Sequence, residues 1–271
     1  MQYRREIDGL RALAVLPVIF FHAGFEIFSG GFVGVDVFFV LSGYLITRLI
    51  VNELDLGEFS ITSFYERRAR RILPALFFVM ACSIPFAWLL LLPSDFVDFA
   101  QSLIANPLFV ANFLFWMERG YFGVATELKP LIHTWSLSVE EQFYVFFPLI
   151  FTLIWKKTLL LYALLGLVII GSLTASYVIT NLHFDTAFFL LPTRAWELLI
   201  GTCAALLLRK NIPALIFSKT INDVLSFLGL TLIVIAVMFF NNSTPFPGLY
   251  ALIPASGTWL VIVFSERSNY A

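Results

Sequence analysis

Charge is scarce in this 271-residue chain: Asp, Glu, Lys and Arg make up 13% of it, about half the share of an ordinary soluble domain. Cysteine is nearly missing. Cys82 and Cys203 stand alone in apolar segments without motif spacing, which excludes a disulfide framework and a cysteine-based metal site. There are no low-complexity tracts, no internal repeats and no hydrophilic stretch long enough for a soluble domain. A net charge of −1, with the basic residues confined to short segments, gives no nucleic-acid surface.

What fills the chain instead is hydrocarbon, 60% hydrophobic residues with 31 phenylalanines. That composition predicts an all-α, polytopic integral membrane bundle. At about 20 apolar residues per crossing, good spans fall near 10 to 28, 32 to 51, 73 to 92, 159 to 180, 224 to 240 and 249 to 265. Weaker ones, shorter and charged, fall near 139 to 155 and 193 to 208. The opening MQYRREIDG has the charge of a signal-peptide start, but no small-x-small cleavage site follows and the apolar run carries Arg11 and His22. It reads as a retained first helix.

The stretch 96 to 117 is apolar yet interrupted by Asp98, Gln101, Asn106, Pro107 and Asn112. Arg4, Arg5, Arg48, Arg67, Arg68, Arg70 and Arg71 put the N-terminus and the 52 to 72 loop in the cytoplasm by the positive-inside rule. If 96 to 117 crosses once, Lys156, Lys157, Arg209, Lys210 and Lys219 all fall outside. If it dips and returns, all five become cytoplasmic, as does Arg267. The expectation is therefore a re-entrant or broken element, lining a cavity, with the loop 118 to 138 outside.

Ionisable residues in so apolar a chain are the candidates for function. Arg11 and His22 share one face of the first helix, about 16 Å apart along its axis, with Asp8 placed to pair with Arg11 and Arg4. A snorkelling arginine and a hydrogen-bonded histidine are the structural alternatives. His22 is also fit to be a general base, a proton relay or a nucleophile. Asp36, ahead of the small residues Ser42 and Gly43 in FFVLSGY, needs a partner inside the membrane. In FYERRARRILPAL, Arg67, Arg70 and Arg71 share a helical face while Arg68 points elsewhere, and Pro74 suits the start of the next helix. That face fits polyphosphate oxygens or anionic lipid equally well.

In LKPLIHTWSLSVEEQFYVFFP, Ser138 and Glu141 have the spacing of a capping box, which leaves Glu140, His133 and Trp135 unexplained. Arg194 and Glu197 are spaced for an internal ion pair, either structural or lining a cavity.

Taken in order, RREIDGLRALAVLPVIFFHAGF, GGFVGVDVFFVLSGYLIT, FYERRARRILPAL, LKPLIHTWSLSVEEQFY and LLPTRAWELLIG resemble the acyltransferase 3 family of bacterial membrane O-acyltransferases. The resemblance covers essentially residues 1–271 as one membrane domain, and lies closest to the subgroup that O-acetylates lipopolysaccharide O-antigen and other surface polysaccharides. It implies a multi-pass protein of the bacterial inner membrane with its N-terminus in the cytoplasm. It implies acetyl-CoA or another acyl-CoA as donor substrate, no permanently bound cofactor and no metal, and a glycan or lipid-linked glycan hydroxyl as acceptor, with membrane lipid around it.

By the same resemblance, Arg11, Arg67, Arg68, Arg70 and Arg71 bind the donor and His22, Glu140 and Glu141 are catalytic. Asp36, Ser42, His133, Trp135, Arg194 and Glu197 are the expected supporting residues. The family usually has ten or more membrane helices, and the subgroup often adds a C-terminal SGNH domain. The chain stops at SERSNYA, so the expectation includes a last helix or helices, an SGNH domain or a partner protein lying elsewhere. Two rival readings stand beside this one: a proton-coupled transporter or acyl-group exporter, with His22, Asp36, Arg194 and Glu197 as its relay, and an inactive domain that assembles with a partner.

Overall fold

A computed structural model describes residues 4–118, 129–209 and 218–265. Residues 119–128 of the expected loop 118 to 138, together with Lys210 and Arg267, lie outside the described residues. The chain runs through α1 (Arg5–His22), α2 (Gly34–Leu56), α3 (Ile61–Leu90), α4 (Pro93–Ala105), α5 (Ala111–Met117) and α6 (Trp135–Ile154). It continues through α7 (Thr158–Leu182), α8 (Phe184–Phe189), α9 (Leu191–Arg209), α10 (Lys219–Phe239) and α11 (Leu252–Phe264). The protein is an all-helical bundle, and each of the eight expected spans falls on a helix. Among the described residues, six helical segments are long and apolar enough to cross a membrane. The other two are α1, with four charged residues in its first half, and α11, which has only 13 residues.

Several boundaries differ from expectation. α1 ends at His22, not near residue 28, and residues 23–33 form turns docked on α10: Gly30 N donates to Val237 O at 3.0 Å and Ser29 Oγ to Phe240 O at 2.7 Å. The expected loop 52 to 72 shrinks to residues 57–60, because α3 begins at Ile61 under a Ser60 cap. The arginine motif therefore lies within a helix. Pro74 does not open a helix; α3 runs on through it, and the ring, exposed on the surface, removes only one backbone hydrogen bond.

The stretch 96 to 117 is broken, into α4 and α5. Phe109, at φ 54, turns the chain between them. At the break, Gln142 Nε2 from α6 donates to Phe109 O at 2.9 Å, and Asn106 Nδ2 adds a second hydrogen bond to Ser102 O, which also accepts from Asn106 N. Gln142 also reaches Asn112 Oδ1 at 2.8 Å, and Asn112 donates onward to Phe189 O. The polar residues that interrupt this segment are thus the partners that irregular backbone needs at membrane depth. α4, α5 and residues 129–131 line a small cavity of about 50 Å³.

The centre of the bundle is the contact of α2 with α9. Gly43 lies against the backbone of Leu198 and Gly201 against the carbonyl of Val40, so a Cβ at either position would overlap the facing backbone. Thr47 and Thr202 hydroxyls meet at 2.9 Å in the same seam. Small residues at this spacing let membrane helices approach closely enough for dispersion to hold them. Replacing Gly43 by Val is expected to cost about 1–3 kcal/mol or more through overpacking. A monodisperse Gly43→Val protein melting at the wild-type temperature in detergent would contradict the seam.

Candidate functional site

Three polar clusters account for most of the residues singled out above. The first lies wholly inside the bundle. Arg194, from the first turn of α9, reaches Asp36 on α2 at 3.2 Å and Glu197 one turn on at 3.1 Å. All three side chains are 1% exposed or less. The guanidinium lies 5.3 Å from the ring centre of Phe39, 5.5 Å from Phe246, 5.8 Å from Phe188 and 6.0 Å from Trp135. Trp135 is therefore a wall of this cage. It packs on Phe188 at 4.6 Å and Phe189 at 5.4 Å.

The second cluster joins α3, α6 and α2. α6 starts at Trp135, three residues before the expected cap, so Ser138 and Glu141 are not a capping box. Ser138 Oγ donates instead to Thr134 O within the helix. Glu141 accepts a hydrogen bond from Arg68 at 2.7 Å, with 9% and 18% of the two side chains exposed. The Arg68 guanidinium also sits 3.9 Å from the ring centre of Tyr144. The Tyr144 hydroxyl donates to Glu140 at 3.2 Å, and Ser42 adjoins both Glu140 and Tyr144.

Helical geometry divides the arginine motif as its spacing implied. Arg68 faces inward, while Arg67, Arg70 and Arg71 are exposed. Arg67 holds Glu53 by two hydrogen bonds of 2.7 and 2.9 Å, and Arg70 pairs with Glu66 one turn away.

The third cluster spans the ends of α1. Arg11 pairs with Asp8 at 3.1 Å, partly exposed. His22 is the last residue of α1 and exposed, so it stands at the end of the helix and not within it. Its Nδ1 lies 2.8 Å from Val18 O. His133, in the turn that opens α6, is near enough to His22 to interact with it electrostatically. His133 and Glu140 are about 10 Å apart along the same segment.

Two contributors were missed in the sequence. Tyr144 was legible as the residue one turn beyond Glu140 on one helical face. Arg4, read as a topology anchor and a partner for Asp8, is buried; it donates to the Tyr44 hydroxyl at 2.6 Å and to Ile262 O at 2.7 Å, fastening α1 to α2 and α11. Nothing local to Arg4 distinguishes it from its neighbour Arg5.

An all-helical membrane bundle with buried ion pairs across its helices, and with arginines and histidines at its margins, defines the class only broadly. The family is defined by comparison. An acyltransferase domain family matches residues 4–270, and the chain belongs to that family. It is a multi-pass membrane protein of the O-acyltransferase class.

An uncharacterised protein of Haemophilus influenzae strain Rd is 33% identical over 251 residues, which cover 86% of this chain and 99% of that protein. A Staphylococcus aureus strain MSSA476 protein named "Putative O-acetyltransferase SAS0844" is 34% identical over 98% of this chain and 48% of its own length. The O-acetyltransferase OatA of Staphylococcus aureus strain NCTC 8325 is 33% identical over 75% of this chain and 34% of its own length. The chain thus spans about half the length or less of these two acetyltransferase-named relatives. No solved structure matches.

The Arg68, Glu141 and Tyr144 contacts predict strong coupling. Arg68→Ala and Glu141→Gln, each destabilising alone, are expected to be non-additive in a double-mutant cycle by about 1–3 kcal/mol, read from thermal unfolding in detergent. Additive effects would show that the pair is not energetically joined.

Proposed function

We propose that this protein transfers an acetyl group from cytoplasmic acetyl-CoA, or the acyl group of another acyl-CoA, to a hydroxyl of a glycan or lipid-linked glycan outside the bacterial inner membrane. The observation that carries this reading is that His133 lies within electrostatic range of His22. One of them shares a helix with Arg11 and the other a segment with Glu140. The acetyltransferase names of the staphylococcal relatives support acetyl as the acyl group.

The donor end is the end at which α1 and α3 start. They start together because α2 runs back between them and only residues 57–60 separate it from α3. Arg67, Arg70 and Arg71 are exposed there, and guanidinium groups bind phosphate oxygens in pairs; with Arg11 they hold the donor's phosphates. The pantetheine arm then carries the thioester toward the histidines. One imidazole takes the proton of the acceptor hydroxyl as the oxygen attacks the thioester carbonyl. The carbon–sulfur bond breaks, and CoA leaves as the thiol after taking up a proton. Arg68, Glu141, Tyr144, Glu140 and Ser42 hold α3, α6 and α2 in register around this path. Glu140 is the member of that group nearest His133 along the chain and orients the acceptor side.

His22→Ala is expected to lower transfer of labelled acetyl from acetyl-CoA by about 10²- to 10⁴-fold, the usual contribution of a positioned base. Normal transfer by a correctly inserted His22→Ala protein would refute the role. A labelled acyl-protein trapped in the wild type but not in His22→Ala would show that His22 carries the acyl group between two half-reactions.

Orientation has its own test, made on a protein with Cys82 and Cys203 replaced. Cysteines placed at Asp55 and Lys157 are expected to react with an impermeant thiol reagent from the cytoplasmic side only, and one placed at Lys129 from the outside only. Labelling of Lys129→Cys and Asp55→Cys from the same side would sink the proposed topology.

A further inference from the structure

Away from the candidate site, α6, α7 and α9 enclose two adjoining cavities. The first has a volume of about 290 Å³ and is walled by Trp155, Lys156, Thr158, Tyr162 and Arg209. The second, of about 230 Å³, is wholly apolar. Phe143, Phe147 and Phe151 line it from α6, Leu165 and Val168 from α7, and Leu199 from α9. Leu161 borders both, so the polar cavity and the apolar groove adjoin.

The polar cavity has a fixed wall and a cationic rim. Arg209 is held by two hydrogen bonds to Asp55, at 2.9 and 2.8 Å, and lies 4.8 Å from the ring centre of Trp155. It shapes the cavity and its charge is answered. Lys156 is exposed at the rim. Trp and Tyr concentrate where hydrocarbon meets headgroups, and basic pockets between membrane helices bind anionic headgroups.

Depth selects the occupant. From Phe143 to Trp155, α6 covers about 18 Å of helix axis. Half of a hydrocarbon core of about 30 Å is about 15 Å, so the groove runs from an interfacial rim to the bilayer midplane, the reach of one acyl chain in one leaflet. A soluble phosphate would fill the first cavity and leave the apolar groove empty, whereas a lipid of no net charge would fill the groove and leave Lys156 without a counter-charge.

We propose that these adjoining cavities bind one anionic glycerophospholipid, with its headgroup phosphate against Lys156 and Tyr162 and one acyl chain in the groove of α6, α7 and α9. The site lies on the back of the helix whose inner face carries Arg194, Glu197 and Gly201. A lipid seated there fills the outer side of α9 and stabilises the folded bundle by mass action.

The test uses the full chain purified in detergent, with phosphatidylglycerol, phosphatidylcholine and free CoA as probes, read by native mass spectrometry and thermal unfolding. Phosphatidylglycerol is expected to bind more tightly than phosphatidylcholine and to raise the melting temperature further. Lys156→Gln, a change at an exposed position, is expected to lower phosphatidylglycerol affinity about fivefold while leaving that for phosphatidylcholine unchanged. Val168→Trp, which fills the groove from its partly exposed side, is expected to weaken both lipids. Equal binding of the two lipids by the wild type, or unchanged phosphatidylglycerol binding by Lys156→Gln, would overturn the proposal. Displacement of phosphatidylglycerol by CoA would overturn it in favour of a soluble-phosphate site. None of these readouts depends on acyl transfer, so they stand apart from the proposed activity.

Discussion

In the seam between α2 and α9 one guanidinium serves two carboxylates where no water reaches. An uncompensated charge in such a place costs several kcal/mol, so Arg194, Asp36 and Glu197 can be buried only as a set. The set exists only if α2 and α9 approach closely, which Gly43 and Gly201 permit. Backbone proximity and charge pairing each require the other, and the aromatic cage of Phe39, Trp135, Phe188 and Phe246 closes around both. α6 enters the bundle through that cage, since Trp135 is its first residue.

The position of α6 then decides the rest of the polar architecture. With Trp135 anchored, Glu140 and Glu141 fall in the second turn of α6. Glu141 meets Arg68 from α3, and Glu140 meets Tyr144 and Ser42. Just before that anchor, His133 lies within electrostatic range of His22. The rigid seam and His133 are thus linked through a few residues of one helix: His133 is exposed, but its backbone is set from inside.

Hydrophobic runs located the helices because in a bilayer every backbone polar group must be satisfied within the segment, and a long apolar run has one solution. The break in 96 to 117 was legible for the same reason, through Asn106 and Asn112. Boundaries were less legible. α3 begins well ahead of its apolar run, since an arginine-rich turn is as good a helix former as a leucine-rich one, and it carries Pro74 inside. Ser138 had the spacing of a cap and lies within a helix, because the spacing of Ser and Glu says nothing of whether the chain upstream is already helical. His22 seemed deep in a helix that in fact ends there.

The sequence by itself determined that this chain is a helical membrane protein, which segments form its helices, and which side of α3 each arginine takes, because composition and the 3.6-residue period are local properties. It also carried, as a resemblance of ordered motifs, the acyltransferase family. Only the tertiary structure decided which ionisable residues come together: Asp36 with Arg194 and Glu197, Arg68 with Glu141, and His133 within electrostatic range of His22. Those pairings join residues far apart in the chain. Their geometry depends on how closely whole helices pack, and no local pattern encodes that distance.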